Sequence, residues 1–490
     1  MIVLWKENVM SESNTGNLRQ QTKKGLYWSF FNQFAIYGMN FCVGIVMARL
    51  LSPSDFGITA LPAVFMSVVL ILQYGGLSDA LVRKPDLSDK DLSTAFYYSV
   101  CVGIVLYLAL FFSAPWIADF YNTPVLIPLV RITALGFLWG PLSTPQNVIL
   151  KRKLDFKTPT KISIIIRIVS ACVGISMAYM GYGLWSLVIS GLISSFLTTF
   201  LNWYVVRWFP KTGWSKDSFK YLWNYGNKII VSSLLDTLYN NIAPIFIGKF
   251  YSPAELGVYN RALGYAAMPS QNVTGVIQGV TFPVLSKMQN DDEALARNYR
   301  RMLKATAFII FPIMMMLSAL AHPLVIILVT AKWESCVILL QIICFSLMWY
   351  PVHAINLNLL QVKGRSDLFL RLEIIKKIVG VSILAITLPH GLIVFCCGSV
   401  VSSLIALIIN TYYTGKLINV GYFKQMRDLL PIVLLGLVMF AMIHLSNYLI
   451  SNMLLQIICG GILGAIVYIG GAILFKFSEL DDVKYMLKRK

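Results

Sequence analysis

The chain has 490 residues, of which 57% are apolar and 13% charged, with a formal net charge of +19. Ordinary soluble proteins carry roughly 25% charged residues, so a soluble fold is excluded. The positive charge lies in short loops between long apolar runs, which is the mark of membrane topology and not of a nucleic-acid surface.

A helix needs about 20 apolar residues to cross about 30 Å of hydrocarbon. By that measure the sequence predicts an all-α polytopic membrane protein with fourteen spans. After a tail over 1–25, a first lobe over 26–206 holds spans at 26–48, 57–77, 94–114, 124–150, 162–180 and 183–206. A linker at 207–220 leads to a second lobe over 221–413, with spans at 221–248, 257–285, 302–321, 335–361, 367–388 and 391–412. A linker at 414–428, a last pair at 429–447 and 453–475 (429–475 in all), and a tail at 476–490 complete the chain. The first apolar run is too long for a signal-peptide core and no small-residue cleavage site follows it, so span one is expected to remain.

Loops on the side of the N-terminus, with both tails and the span-edge residues Lys304 and Arg371 included, hold 32 Lys and Arg; the opposite loops hold three, Arg49, Lys249 and Lys332. Six more lie within spans. This split places both termini in the cytoplasm of a multi-pass bacterial inner-membrane protein. The eight cysteines fall inside or at the edge of spans with no CxxC pair, so neither a disulfide framework nor a metal site is expected.

The halves repeat. Ala48 to Gly57 reads ARLLSPSDFG and Gly248 to Gly257 reads GKFYSPAELG, pairing Ser52-Pro53 with Ser252-Pro253 and Asp55 with Glu255 at an offset of 200. In this turn the proline sets a bend, the acid caps the next helix and the glycine relieves backbone strain. Deeper in each half, Trp139, Pro141 and Gln146 match Trp349, Pro351 and Asn356, and Gly183-Leu184 matches Gly391-Leu392. Six spans per repeat give two lobes of the same orientation, related by an axis along the membrane normal, with the last two spans added outside the repeat.

Polar residues inside spans are the candidate lining of a substrate lumen, because a charge facing lipid is costly. Span eight offers Arg261, Tyr265, Met268, Asn272 and Gly279 on one face; span seven offers Asp236, Tyr239 and Asn240; span one offers Gln33, Tyr37 and Asn40. The alternative for each is an interhelical hydrogen bond. Arg131 and Arg167 lie in spans four and five, and Glu373, Lys376 and Lys377 in span eleven, where either Glu373 and Lys377 neutralise each other or the cations face a lumen entrance that receives a phosphate. Asp236 is the acid nearest the middle of a span and, with Glu373, the group available for proton or sodium coupling. His353 reads as a core imidazole in preference to a protonation site. No Walker A motif, no HExxH and no long exterior loop is present, so nothing assigns a catalytic residue.

The run from Ala48 to Gly57, with GLSDALVRK from Gly76 to Lys84, resembles the Wzx-type polysaccharide flippases of the multidrug/oligosaccharidyl-lipid/polysaccharide exporter superfamily, within the colanic and teichuronic acid exporter subgroup. That resemblance implies a V-shaped pair of six-helix lobes around a cationic lumen. It implies a non-enzymatic flippase that turns oligosaccharide on undecaprenyl diphosphate from the cytoplasmic to the periplasmic leaflet, for O-antigen, capsule or exopolysaccharide synthesis. No cofactor is implied beyond a proton or sodium gradient, and the partners are the lipid-linked sugar, membrane lipid and other polysaccharide-assembly proteins. The competing readings are a membrane glycosyltransferase or polymerase on the same carrier, and a small-molecule exporter of the same superfamily.

Overall fold

The computed structural model describes residues 35–74 and 76–480; among them the chain is helical, with no strand. Eleven helices in this part are long and apolar enough to cross a membrane, and the chain is a multi-pass membrane protein. It divides into two compact units, Met1–Ala254 and Glu255–Lys490.

The first unit contains α1 (Ala35–Leu50), α2 (Pro53–Arg83), α3 (Asp89–Phe120), α4 (Leu126–Arg152), α5 (Lys157–Tyr179), α6 (Leu184–Val206) and α7 (Lys216–Phe250). The turn into α2 is a capping box. Ser52 Oγ accepts from the Asp55 amide, while the Ser52 amide and hydroxyl donate to Asp55 Oδ2 at 2.9 and 2.6 Å. Ser88 and Asp91 build the same box at the start of α3. Gly57 is helical and buried, so its lack of a side chain serves packing and does not relieve backbone strain. Strain relief belongs instead to Gly76, whose φ is +74° and whose added methyl would stand 2.6 Å from Gly226 Cα, where α7 crosses α2.

The second unit contains α8 (Pro253–Ser286), which opens at the boundary, then α9 (Asp292–Ala319), a short helix Ala321–Val329, and α10 (Cys336–Val362). It continues with α11 (Ser366–Thr387), α12 (Leu392–Ile418), α13 (Tyr422–Leu449) and α14 (Met453–Leu474). The final pair is integral to this unit. Arg300 of α9 grips Asp428 with two bonds of 2.6 Å, and Lys304 pairs with Glu479. Gly460 and Gly464 of α14 lie against Ile443 of α13, which is the contact their GxxxG spacing predicts.

Prolines shape both units, and at five of them one rule accounts for their tolerance. A proline has no N–H for the carbonyl four residues back, and in a membrane that carbonyl must find another donor. Pro115 releases Phe111 O, which accepts from Arg131 Nε at 3.3 Å. Pro141 releases Phe137 O, which accepts from Gln73 Nε2 at 2.8 Å. Pro312 releases Phe308 O to Tyr468 Oη (2.9 Å), Pro323 releases Ala319 O to Asn447 Nδ2 (3.1 Å), and Pro351 releases Leu347 O to Ser270 Oγ (2.7 Å).

Two of these sites are repeat equivalents. α4 unwinds through a 3-10 turn at Gly140–Ser143, and α10 breaks between Leu347 and Tyr350. The matched Pro141 and Pro351 cause both breaks, and donors from the corresponding helices α2 and α8 satisfy both freed carbonyls. The matched polar pair below them also works alike. Gln146 Nε2 donates to Trp208 O just after α6, while Asn356 bonds Gln425, which donates to Val420 O just after α12. Arg207 and Asn419, each at a φ near +50°, end those two helices in the left-handed conformation.

Candidate functional site

The first unit brings two of the sequence candidates, Asn40 and Arg167, to one cavity whose other walls are largely apolar. α1, α5 and α6 enclose about 320 Å³, with Asn40 and Arg167 on its wall beside Ser170, Ser190 and Ser194. Small residues let these helices approach closely: a methyl on Gly174 of α5 would meet Ser190 Cβ at 3.0 Å. Below, Met47, Leu51 and Ala178 form a buried apolar seal.

Arg167 lies about 15 Å along α5 from Lys157, at 1.5 Å rise per residue, and so near the middle of a 23-residue helix. Its side chain is exposed, and among the described residues it makes no ion pair or hydrogen bond. An arginine at the centre of a lipid-facing helix costs about 2.5–3.5 kcal/mol or more. That cost falls where the guanidinium meets water or an anion. The carboxamide of Asn40 and the Ser194 hydroxyl stand on the same wall, while the Ser170 and Ser190 hydroxyls donate to Ile166 O and Leu187 O of their own helices.

The remaining candidates of this unit fall in three settings. Tyr37 is exposed on α1, one turn from Asn40. Asp236 and Asn240 are exposed on α7, one turn apart, and Tyr239 between them is half-buried. Arg131 is turned into the protein, its guanidinium 4.2 Å from the centroid of the Phe111 ring while it caps the Phe111 carbonyl. Gln33 lies outside the described residues.

In the second unit, Arg261 is half-buried with its guanidinium 5.1 Å from the Trp333 ring and 5.7 Å from that of Tyr265. The Asn272 amide donates to Met268 O along its own helix at 2.7 Å. The exposed stripe of α8 is Gly264, Met268, Gln271, Gly275 and Gly279, rotated from the Arg261–Tyr265–Asn272 line by roughly one residue. On α11, Glu373 accepts from Lys376, three residues on, and Lys377 is half-buried. The His353 ring is held at both nitrogens, 3.1 Å from Ser403 Oγ and 3.2 Å from Asn410 Nδ2. The serines of the cavity went unread in the sequence, although the close spacing of Ser190, Gly191 and Ser194 on α6 opposite Gly174 on α5 is the signal that marks them.

The profile of a family described as polysaccharide biosynthesis protein matches residues 46–338. Teichuronic acid biosynthesis protein TuaB of Bacillus subtilis is 26% identical over 384 residues, covering 77% of this chain and 79% of that one. Succinoglycan biosynthesis transport protein ExoT of Rhizobium meliloti is 23% identical over 457 residues, covering 90% of each. Among solved structures, the lipid II flippase MurJ in an inward closed conformation superposes with a TM-score of 0.74 at 17% identity, covering 91% of this chain and 99% of that one. The two share a fold.

Proposed function

The chain belongs to the polysaccharide biosynthesis protein family, and from that premise we propose that it is a flippase for lipid-linked oligosaccharide, turning undecaprenyl-diphosphate-linked sugar from the cytoplasmic to the periplasmic leaflet of a bacterial inner membrane. The observation that carries the proposal is the cavity between α1, α5 and α6, where Arg167, without an ion pair among the described residues, stands with Asn40 and serines inside the membrane-spanning part of the fold. A sugar diphosphate cannot enter hydrocarbon, but its polyprenyl tail can stay there. The protein need only replace the water around the head group, and guanidinium, carboxamide and hydroxyl groups do so. Relatives named for teichuronic acid synthesis and succinoglycan transport point to the same class of cargo.

In this reading both termini are cytoplasmic, as the 32-to-3 division of Lys and Arg requires. The protein works by alternating access and alters no bond of its substrate. Asp236 and the adjoining Asn240 on α7 are its sites of proton or sodium coupling. The deciding experiment uses purified protein in liposomes containing fluorescent lipid-linked oligosaccharide. Exposure of intact sugar on the opposite leaflet is expected. A lengthened or cleaved sugar would establish an enzyme instead, and no exposure at all would remove the proposal.

A further inference from the structure

A second cavity in the first unit has a different chemistry. It encloses about 630 Å³ between α4 and α6 and is lined by Trp139, Phe196, Phe200, Trp203, Tyr204 and Arg207 among others. Its rings are interlocked: Trp139 meets Phe196 edge-on at 5.9 Å, and Phe196 stacks on Phe200 at 6.4 Å.

The floor is the unwound part of α4. Backbone left open there by the 3-10 turn would make the cavity polar, but α6 satisfies it. Thr199 Oγ1 donates to Trp139 O at 3.0 Å and Trp203 Nε1 to Leu142 O at 2.8 Å. What remains is an apolar slot in which a sugar would lose its hydration without compensation.

At the mouth stands Arg207, the residue that ends α6. It is exposed, 5.9 Å from the Tyr204 ring centroid, and without an ion pair among the described residues. An apolar slot with one cation at the end of a membrane helix matches one class of ligand. We propose that the α4–α6 groove holds an acyl chain of an anionic phospholipid, with the lipid's phosphodiester against Arg207. A single guanidinium balances the single charge of a phosphodiester, and this slot adds no carboxamide or serine hydroxyl for the further charge of a diphosphate. Because the slot's floor is the α4 break, the bound lipid supports that turn.

The test is native mass spectrometry of the purified full-length protein with phosphatidylglycerol, phosphatidylcholine and undecaprenyl phosphate. It is paired with quenching of tryptophan fluorescence by brominated phosphatidylglycerol. The readout is lipid retention, so it stands apart from any result on transport. One tightly held phosphatidylglycerol is expected, with quenching that reports Trp139 and Trp203. Arg207→Gln should weaken retention about tenfold or more, as loss of a charge-assisted hydrogen bond does. Phe200→Ser, which makes the wall polar, should weaken retention of all lipids at this site while the protein still elutes as a folded species. Equal retention of phosphatidylcholine, or no change in Arg207→Gln, would overturn the proposal. Retention of undecaprenyl phosphate in preference to phosphatidylglycerol would overturn it too and give the slot to the substrate's tail.

Discussion

Replacing Gly103 with alanine tests whether the break in α4 is held by a closed polar knot. An added methyl would stand 2.5 Å from Phe137 O, 2.7 Å from Gln73 Nε2 and 3.0 Å from Pro141 Cγ. Gln73 is fully buried, and its amide is the donor that replaces the N–H Pro141 lacks. Displacing it strands a buried donor and a buried acceptor, at about 1–3 kcal/mol. Overpacking against Phe137 and Pro141 adds about 1–3 kcal/mol. Against these stands about 1 kcal/mol that alanine gains over glycine inside a helix. The balance is a destabilisation of about 3 kcal/mol. Gly461→Ala is the control, because nothing lies within 4 Å of its new methyl and only the helical gain applies. Apparent melting temperatures of the detergent-purified variants, read by intrinsic fluorescence and checked by size exclusion, should fall by several degrees for Gly103→Ala and hold or rise for Gly461→Ala. If Gly103→Ala melts with or above the control, the knot contributes nothing and the account of the break is wrong.

Arg167→Ala should abolish flipping in liposomes while membrane abundance stays near that of the parent; normal flipping by this variant would exclude the α1–α5–α6 cavity from the substrate path. Arg131→Ala should instead lower the yield of folded protein, because it leaves Phe111 O without a donor; an unchanged yield would contradict the cap. Asp236→Asn should lose stimulation by an imposed ion gradient and keep slow downhill flipping, and a full response to the gradient would return Asp236 to a structural role. Tyr468→Phe removes the donor to Phe308 O and should cost about 1–2 kcal/mol of stability with flipping per folded molecule unchanged, a melting curve identical to the parent being the refuting result.

Elements whose signal is local are legible in the sequence. Helices here are long apolar runs, and the Ser52-Pro53-x-Asp55 turn is a cap written in consecutive residues. The repeat is legible for the same reason, since Pro141 and Pro351 break equivalent helices wherever the rest of the chain goes. Which donor reaches a freed carbonyl is not local. Arg131 reads as an intramembrane cation in search of an anion, yet it satisfies Phe111 O on the neighbouring helix. The clue was Pro115 in α3, which announces one orphan carbonyl without saying who supplies the proton. The α8 face shows a different limit. Helical spacing groups Arg261 with Tyr265, Met268, Asn272 and Gly279; of these Met268 and Gly279 are exposed, together with Gln271, while Arg261, beside the Trp333 ring, Tyr265 and Asn272 are half-buried.

The pattern of caps separates two uses of a broken helix. At Pro115, Pro141, Pro312 and Pro351 the freed carbonyl meets a side-chain donor of its own unit, so these four breaks have no spare backbone acceptor to offer a ligand. They set the course of the helix and, at the matched positions of α4 and α10, give each unit a bend in the same place. In α7, Pro244 frees the Asn240 carbonyl, and no side chain among the described residues donates to it. That carbonyl lies one turn from Asp236, on the stretch of α7 where both side chains are exposed. A backbone acceptor in a membrane helix is tolerated without a protein donor only where water or a ligand can reach it. At the capped breaks a polar ligand can therefore be met by side chains and not by spare backbone acceptors.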